Sequence, residues 1–192
     1  MLVKEIIKVS SMSVIRDLKP DDNDMGWLEG KFDSKSLFQE EMSITIFSDS
    51  EESKKYAEKC VEHYNKLNEN QGILDDIQEK LAKFMLFMYD EWKEMDIYDD
   101  IVADTEKAVE VYNAKESLIT CLSRPRLYVE LPEDETDVEE IGYCIETECP
   151  WEPEHQCSII IRGDEVKYVG PSEGNTPWDD DDEYYCIWND ER

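Results

Sequence analysis

Residues 71–95, QGILDDIQEKLAKFMLFMYDEWKEM, show the strongest periodicity in the chain. Large apolar residues recur every three or four positions, which is the spacing of one helix face. These residues are Ile73, Ile77, Leu81, Phe84, Met88, Trp92 and Met95. Such a face suits either a binding groove or a core, and core packing is favoured because a nearby sheet needs a helix to cover it. The pattern therefore predicts a long helix that packs on a β-sheet.

Further helices are predicted on both sides of this one. Ser48 and Glu51 have the spacing of a capping box and predict the start of an earlier helix. Residues 96–104 are interpreted as an acidic linker, residues 105–113 as a third helix, and residues 118–122 as a short helical turn. The helical region thus spans residues 51–122.

Shorter segments with β character lie before and after the helices. Those before are residues 3–9, 13–17, 25–32 and 42–47, and those after are 127–131, 141–148, 156–162, 165–169 and 184–188. Polar turns are expected at 19–24 and at Gly163-Asp164, and loops at 132–140 and 171–182. This order predicts an α+β fold, in which an antiparallel β-sheet is formed by an N-terminal set of strands (1–50) and a C-terminal set (126–192). Two to three helices are inserted between the sets and pack on one face, and the whole chain, 1–192, is expected to be one domain.

The chain is strongly acidic, with 49 Asp and Glu against 20 Lys and Arg and a net charge of -29. Residues 132–192 alone hold 20 acids and 3 bases. Hydrophobic residues still make up 40%, so this is not a disordered acidic tail. The charge argues against nucleic acid and against an anionic membrane surface as partners. It favours a basic protein, a cationic peptide or metal ions, or else serves solubility alone.

The first residues, MLVKEIIKVSSMSVI, lack the apolar core and cleavage site of a signal peptide, and no stretch has the length of a membrane span. We therefore expect a cytoplasmic protein. Its six cysteines are expected to be reduced thiols, and none form a CxxC pair.

The segment Cys149-Pro150-Trp151-Glu152-Pro153-Glu154-His155 precedes a predicted hairpin over residues 159–170. This segment and hairpin resemble the ending of a group of uncharacterised bacterial domains, the DUF2004 and DUF6985-like group, which shows a Trp-x-x-Glu-His-Gly step before a hairpin. Gln156 stands where that group has glycine, which puts the local turn in doubt. The resemblance implies the α+β architecture and, by association only, an immunity protein of a bacterial toxin system.

Three roles are open for this motif. Glu154 and His155 are candidates for an acid–base pair, although adjacent residues on a strand point to opposite faces. The second role is protein binding by a rigid loop that carries Trp151. The third is structural, with Trp151 capping the core and His155 bonding a backbone carbonyl.

Metal binding and catalysis find little support in the sequence. A zinc set from Cys144, Cys149, His155, Cys157 and Cys186 matches no standard spacing, and Asp179–Glu183 lacks the pattern of a calcium loop. No nucleophile motif is present, and His63 is expected to face solvent. We therefore expect no catalytic residue, no metal and no cofactor.

The acidic run Asp179–Asp182 is flanked by aromatic residues, a composition suited to recognition of a basic protein. The candidate partner-binding residues are Trp151, Glu154, His155, Trp178, Asp179, Asp180, Asp181, Asp182, Tyr185 and Trp188. The leading hypothesis is an immunity-type protein that captures a basic toxin domain electrostatically and occludes it. The alternatives are a metal-dependent hydrolase or other enzyme using Glu154 and His155, and a structural or nucleic-acid-mimicking acidic domain.

Overall fold

A computed structural model describes residues 13–22, 25–95, 99–132 and 139–189. Seven strands form one sheet whose spatial order follows the chain. The strands are β1 (Arg16–Pro20), β2 (Leu28–Asp33), β3 (Glu41–Ile46), β4 (Ser123–Val129), β5 (Gly142–Cys149), β6 (Glu152–Arg162) and β7 (Glu165–Gly170). All neighbouring strands are antiparallel except β3 and β4, which are parallel. A parallel pair needs a crossover connection, and the helices supply it here.

Three α-helices lie between β3 and β4 in the chain: α1 (Glu51–Tyr64), α2 (Gln71–Glu94) and α3 (Asp99–Asn113). Short 3-10 turns occupy Leu67–Glu69, Leu118–Cys121, Asp181–Tyr184 and Ile187–Asn189. The predicted α+β fold is therefore confirmed. None of the helices in the described ranges combines the length and the apolar character that crossing a lipid bilayer requires.

The main core lies between one face of the sheet and the helices. The apolar stripe of α2 is buried through Ile73, Ile77, Leu81 and Phe84, as its spacing predicts, whereas Met95 is exposed at the helix end. Alternation along the strands supplies the opposite side, so that Phe32, Ile44, Leu127, Tyr143 and Ile159 face the helices. The second face of the sheet does not take part in this main core.

A smaller apolar cluster covers part of the second face. Tyr184 and Cys186, from the end of the chain, pack there against Cys144, Ile160 and Tyr168 of β5, β6 and β7. The last part of the chain therefore shields the β5–β7 end of this face. The β2–β5 part carries polar clefts.

Several predicted element bounds are wrong. The N-cap of α1 is Ser50, whose hydroxyl accepts a hydrogen bond from the Ser53 amide, rather than Ser48. α3 begins at Asp99, because acids in a first turn favour a helix N-terminus. The linker predicted at 96–104 is therefore wrong for residues 99–104, and residues 96–98 lie outside the described ranges. Lys19 and Pro20 belong to β1 rather than to a turn. The strand predicted at 184–188 is replaced by two 3-10 turns.

Two further expectations fall on parts of the chain that the structure does not describe. The strand predicted at 3–9 lies outside the described residues, as does most of the predicted loop at 132–140.

Candidate functional site

The segment of residues 171–189 is held in place by three aromatic side chains. The indole N–H of Trp178 donates to the Glu130 carbonyl at 2.9 Å, and that of Trp188 donates to the Val169 carbonyl at 3.3 Å. The Tyr184 hydroxyl donates to the Thr176 carbonyl at 2.6 Å. Buried polar groups of this kind fix a loop only when they are paired, as they are here. The segment is thus an ordered part of the fold.

Trp188 and Trp178 are anchors within this segment. The Trp188 ring lies 4.7 Å from the Phe84 ring of α2, and Trp178 packs over Gly142, where a Cβ atom would come within 2.9 Å of the indole. Both rings are half-buried. They therefore position the acidic run that lies between them in the chain.

The acidic run is organised by its own hydrogen bonds. Asp179 accepts from the amide and the hydroxyl of Thr176 at 2.8 and 2.7 Å. Asp180 and Glu183 form a capping box around the short turn Asp181–Tyr184. Of the aromatic residues that flank the run, Tyr185 is the exposed one, with 66% of its surface accessible.

Two bases approach this run. Asp181 lies 2.8 Å from Arg162 and 2.7 Å from Lys167, and the ammonium of Lys167, with the nearby guanidinium, holds the pKa of Asp181 below its usual value. Asp180 and Asp182 are exposed on the same turn. The run therefore keeps most of its negative charge at the surface.

Trp151 lies in the core and takes no part in this surface. Its side chain is 0% exposed, and its ring meets Phe84 edge-on at 6.4 Å. Its indole N–H has no hydrogen-bond partner among the described residues. The structural role foreseen for Trp151, closing the core, is the one that its burial supports.

His155 is paired with Glu152 and not with its neighbour Glu154. The buried Glu152 carboxylate accepts from the amides of Glu154 and His155 at 3.2 and 3.1 Å, and its Oε1 lies 3.2 Å from Nδ1 of His155. The Glu154 side chain is exposed. Glu152 is thus a residue that sequence reasoning missed, although its place between two prolines in the motif marks it.

The six cysteines are free thiols in the structure. Burial raises the pKa of Cys144 and of Cys60 to about 12, and the neighbouring Cys149 thiol together with burial raises the pKa of Cys157. Across the described ranges, no three His, Cys, Asp or Glu side chains are grouped to hold a metal ion. The five buried thiols, all except Cys121, act as small apolar core residues.

The sequence predicts that His63 faces solvent, but in the structure its imidazole contacts two other side chains. Its Nδ1 lies 3.0 Å from the hydroxyl of the buried Tyr143, and its Nε2 lies 3.6 Å from Asp164 in the β6–β7 turn. The imidazole therefore links α1 to the hairpin.

The geometry can be set beside known proteins. A family model for a domain of unknown function, DUF6985, matches residues 14–176. The chain belongs to this family. No curated protein and no solved structure matches it.

The DUF6985 match divides the candidate residues. Trp151, Glu154 and His155 lie inside the matched range, whereas Trp178, Tyr185, Trp188 and the run Asp179–Asp182 follow it. In this DUF6985 member, the acidic run is thus attached to the matched domain by Trp178 and Trp188, which bond carbonyls inside the matched range. Family membership by itself assigns no activity.

Proposed function

We propose that this protein binds a basic protein through an acidic surface formed by Asp180, Asp181, Asp182, Glu183 and Tyr185. The observation that carries the proposal is the exposure of Tyr185 on a segment fixed at both ends by half-buried indole rings. An exposed tyrosine supplies a large contact area at low entropic cost, and it is enriched in protein interfaces.

The electrostatics of the chain favour this partner class. Residues 132–192 hold 20 acids and 3 bases, and two of those bases, Arg162 and Lys167, approach Asp181. The excess negative charge attracts a cationic protein over long range and speeds its association, most strongly at low salt. The same field repels nucleic acid.

In its finer form, the proposal is an immunity-type protein of the bacterial cytoplasm. It would capture a basic toxin domain and occlude that domain's active site. The support is the resemblance of the 149–170 segment to domains found among candidate immunity proteins, together with the charge of the surface. Trp178 and Trp188 would act as supports for the surface, and Tyr185 would make the direct contact.

The test is affinity capture with the full chain from its source cell, followed by identification of the captured proteins. We expect a basic protein that is recovered at low salt and lost at high salt. The double variant D180N/D182N should reduce recovery at least about tenfold, whereas E62Q/E110Q, which removes two exposed charges from helices α1 and α3, should not. Recovery of no basic protein, or equal recovery with both double variants, would overturn the proposal.

A further inference from the structure

A row of polar side chains crosses the sheet face opposite the helices. The strand register places Lys31 beside Ser43, Ser43 beside Arg126, and Arg126 beside Glu146. These residues line a cleft of about 570 Å³, which lies within the usual range of small-ligand sites. The cleft is on a different part of the molecule from the acidic surface.

Arg126 is held in this row by hydroxyl groups. Its Nε donates to the Ser43 hydroxyl at 3.2 Å, and one terminal nitrogen donates to the Tyr128 hydroxyl at 3.3 Å. Among the described residues, no carboxylate lies within ion-pair distance of it, although the chain contains 49 acids. The guanidinium is therefore oriented, with donors left for a carboxylate.

Glu146 is the matching anion on the neighbouring strand. Its Oε1 accepts from the Ser172 hydroxyl at 2.5 Å, and in the described part of the chain no Lys, Arg or His reaches ion-pair distance. Two other carboxylates of the cleft are engaged, since Glu148 pairs with Arg124 and Glu41 pairs with Lys31. Arg126 and Glu146 thus attract each other across the two strands and both contact the Tyr128 hydroxyl, but among the described residues neither forms a direct ion pair.

Two β-bulges border the same cleft. The register shifts between Ser123 and Arg126, where Arg124 has a φ of 52°, and Gln156 on β6 has a φ of 66°. A left-handed conformation is strained for a residue other than glycine. Bulges of this kind aim side chains and recur next to functional sites, and both residues line the cleft.

We propose that this cleft binds a free α-amino acid, with the ligand carboxylate on Arg126 and its ammonium group on Glu146. The charged lining is mixed, with three cations (Lys31, Arg124, Arg126) and four carboxylates (Glu40, Glu41, Glu146, Glu148). A ligand with one charge would meet like charges there, whereas a zwitterion can form a direct ion pair with Arg126 and another with Glu146.

The test is titration of the full chain with each standard L-amino acid, followed by NMR on the amides of β4, β5 and β6. At least one should bind with a Kd below about 1 mM. The analogues of that ligand that lack either the ammonium or the carboxylate should bind at least about tenfold more weakly. Absence of any such ligand, or equal affinity for a singly charged analogue, would overturn the proposal.

Variants locate the site. R126Q and E146Q should each weaken binding at least about tenfold, and K55Q, an exposed cation on α1, should leave it unchanged. Binding that survives R126Q, or shifts confined to other elements, would overturn the proposal. R126Q should leave capture of the basic partner intact. Failure of the amino-acid site can therefore be distinguished from failure of the proposed partner binding. Amide spectra of R126Q and E146Q establish that both variants are folded.

Discussion

Oε1 of the buried Glu152 lies 3.2 Å from Nδ1 of His155, so the residue that orients this histidine is three positions before it in the chain. The same carboxylate oxygen accepts the amides of Glu154 and His155. Glu152 is therefore the residue that organises the start of the long strand β6.

Replacing Glu152 by alanine should destabilise the fold, because two backbone amides lose their acceptor. We expect a loss of about 1–3 kcal/mol in the free energy of unfolding, measured in urea. E152Q keeps an acceptor and should lose less. E154A removes an exposed neighbour and should change stability by less than about 0.5 kcal/mol. Equal losses for E152A and E154A would contradict this role of Glu152.

Gly170 is required for the docking of Trp188. A Cβ atom at this position would lie 2.6 Å from the Trp188 ring and 2.5 Å from the Tyr168 hydroxyl. G170A should therefore release the end of the chain and increase proteolytic cleavage near residues 180–189. G72A, where the nearest atom is at 3.4 Å in the first turn of α2, should leave cleavage unchanged. Unaltered cleavage of G170A would show that Trp188 does not anchor the segment.

The native thiols should react unequally. Cys121 is half-buried, whereas the other five cysteines are buried and those at 60, 144 and 186 have their pKa raised to about 12 by burial. Because the thiolate is the reactive form, a disulfide reagent at pH 8 should modify one thiol at least about 100-fold faster than the rest. C121S should abolish this fast phase. Rapid modification of more than one thiol would contradict the burial of the other five cysteines.

Stability should fall at high pH. Burial raises the pKa of Tyr64 to about 12, from a value near 10 in the unfolded chain. The folded state thus favours the neutral phenol, and this contribution, of about 2 kcal/mol, is complete below pH 10 and is lost as the pH rises through 12. The free energy of unfolding should decline over that interval, and Y64F should decline less steeply than Y112F, which alters an exposed ring. Identical slopes would contradict the assignment.

The sequence predicts the elements of this fold well wherever a pattern is local. The apolar stripe of α2 and the alternation of β3 predict which side chains are buried, because each pattern depends only on the residue spacing within a single helix or strand. The strand predicted at 184–188 fails because a capping box between Asp180 and Glu183 closes a turn and Trp188 binds a distant carbonyl. Tyr184 and Cys186 are buried at alternate positions because both pack on the sheet face, and not because they belong to a strand.

The Arg126–Glu146 couple was not predictable from the sequence, because it depends on the pairing register of β4 and β5 and on what the neighbouring carboxylates bind. The burial of Trp151 agrees with the structural role that the sequence left open for it, but its contact with Phe84 depends on how α2 packs on the sheet. The excess of acidic residues in the last third of the chain, in contrast, is visible by counting residues in the sequence. That excess is enough to predict an acidic surface there.

The most direct measurement of the central claim is hydrogen–deuterium exchange on the complex with the captured basic partner. We predict that protection on binding concentrates in residues 180–187, around Tyr185, and that D180N/D182N lowers the association rate at low salt. Protection confined to the other end of the sheet, with residues 180–187 exchanging as in the free protein, would contradict the claim.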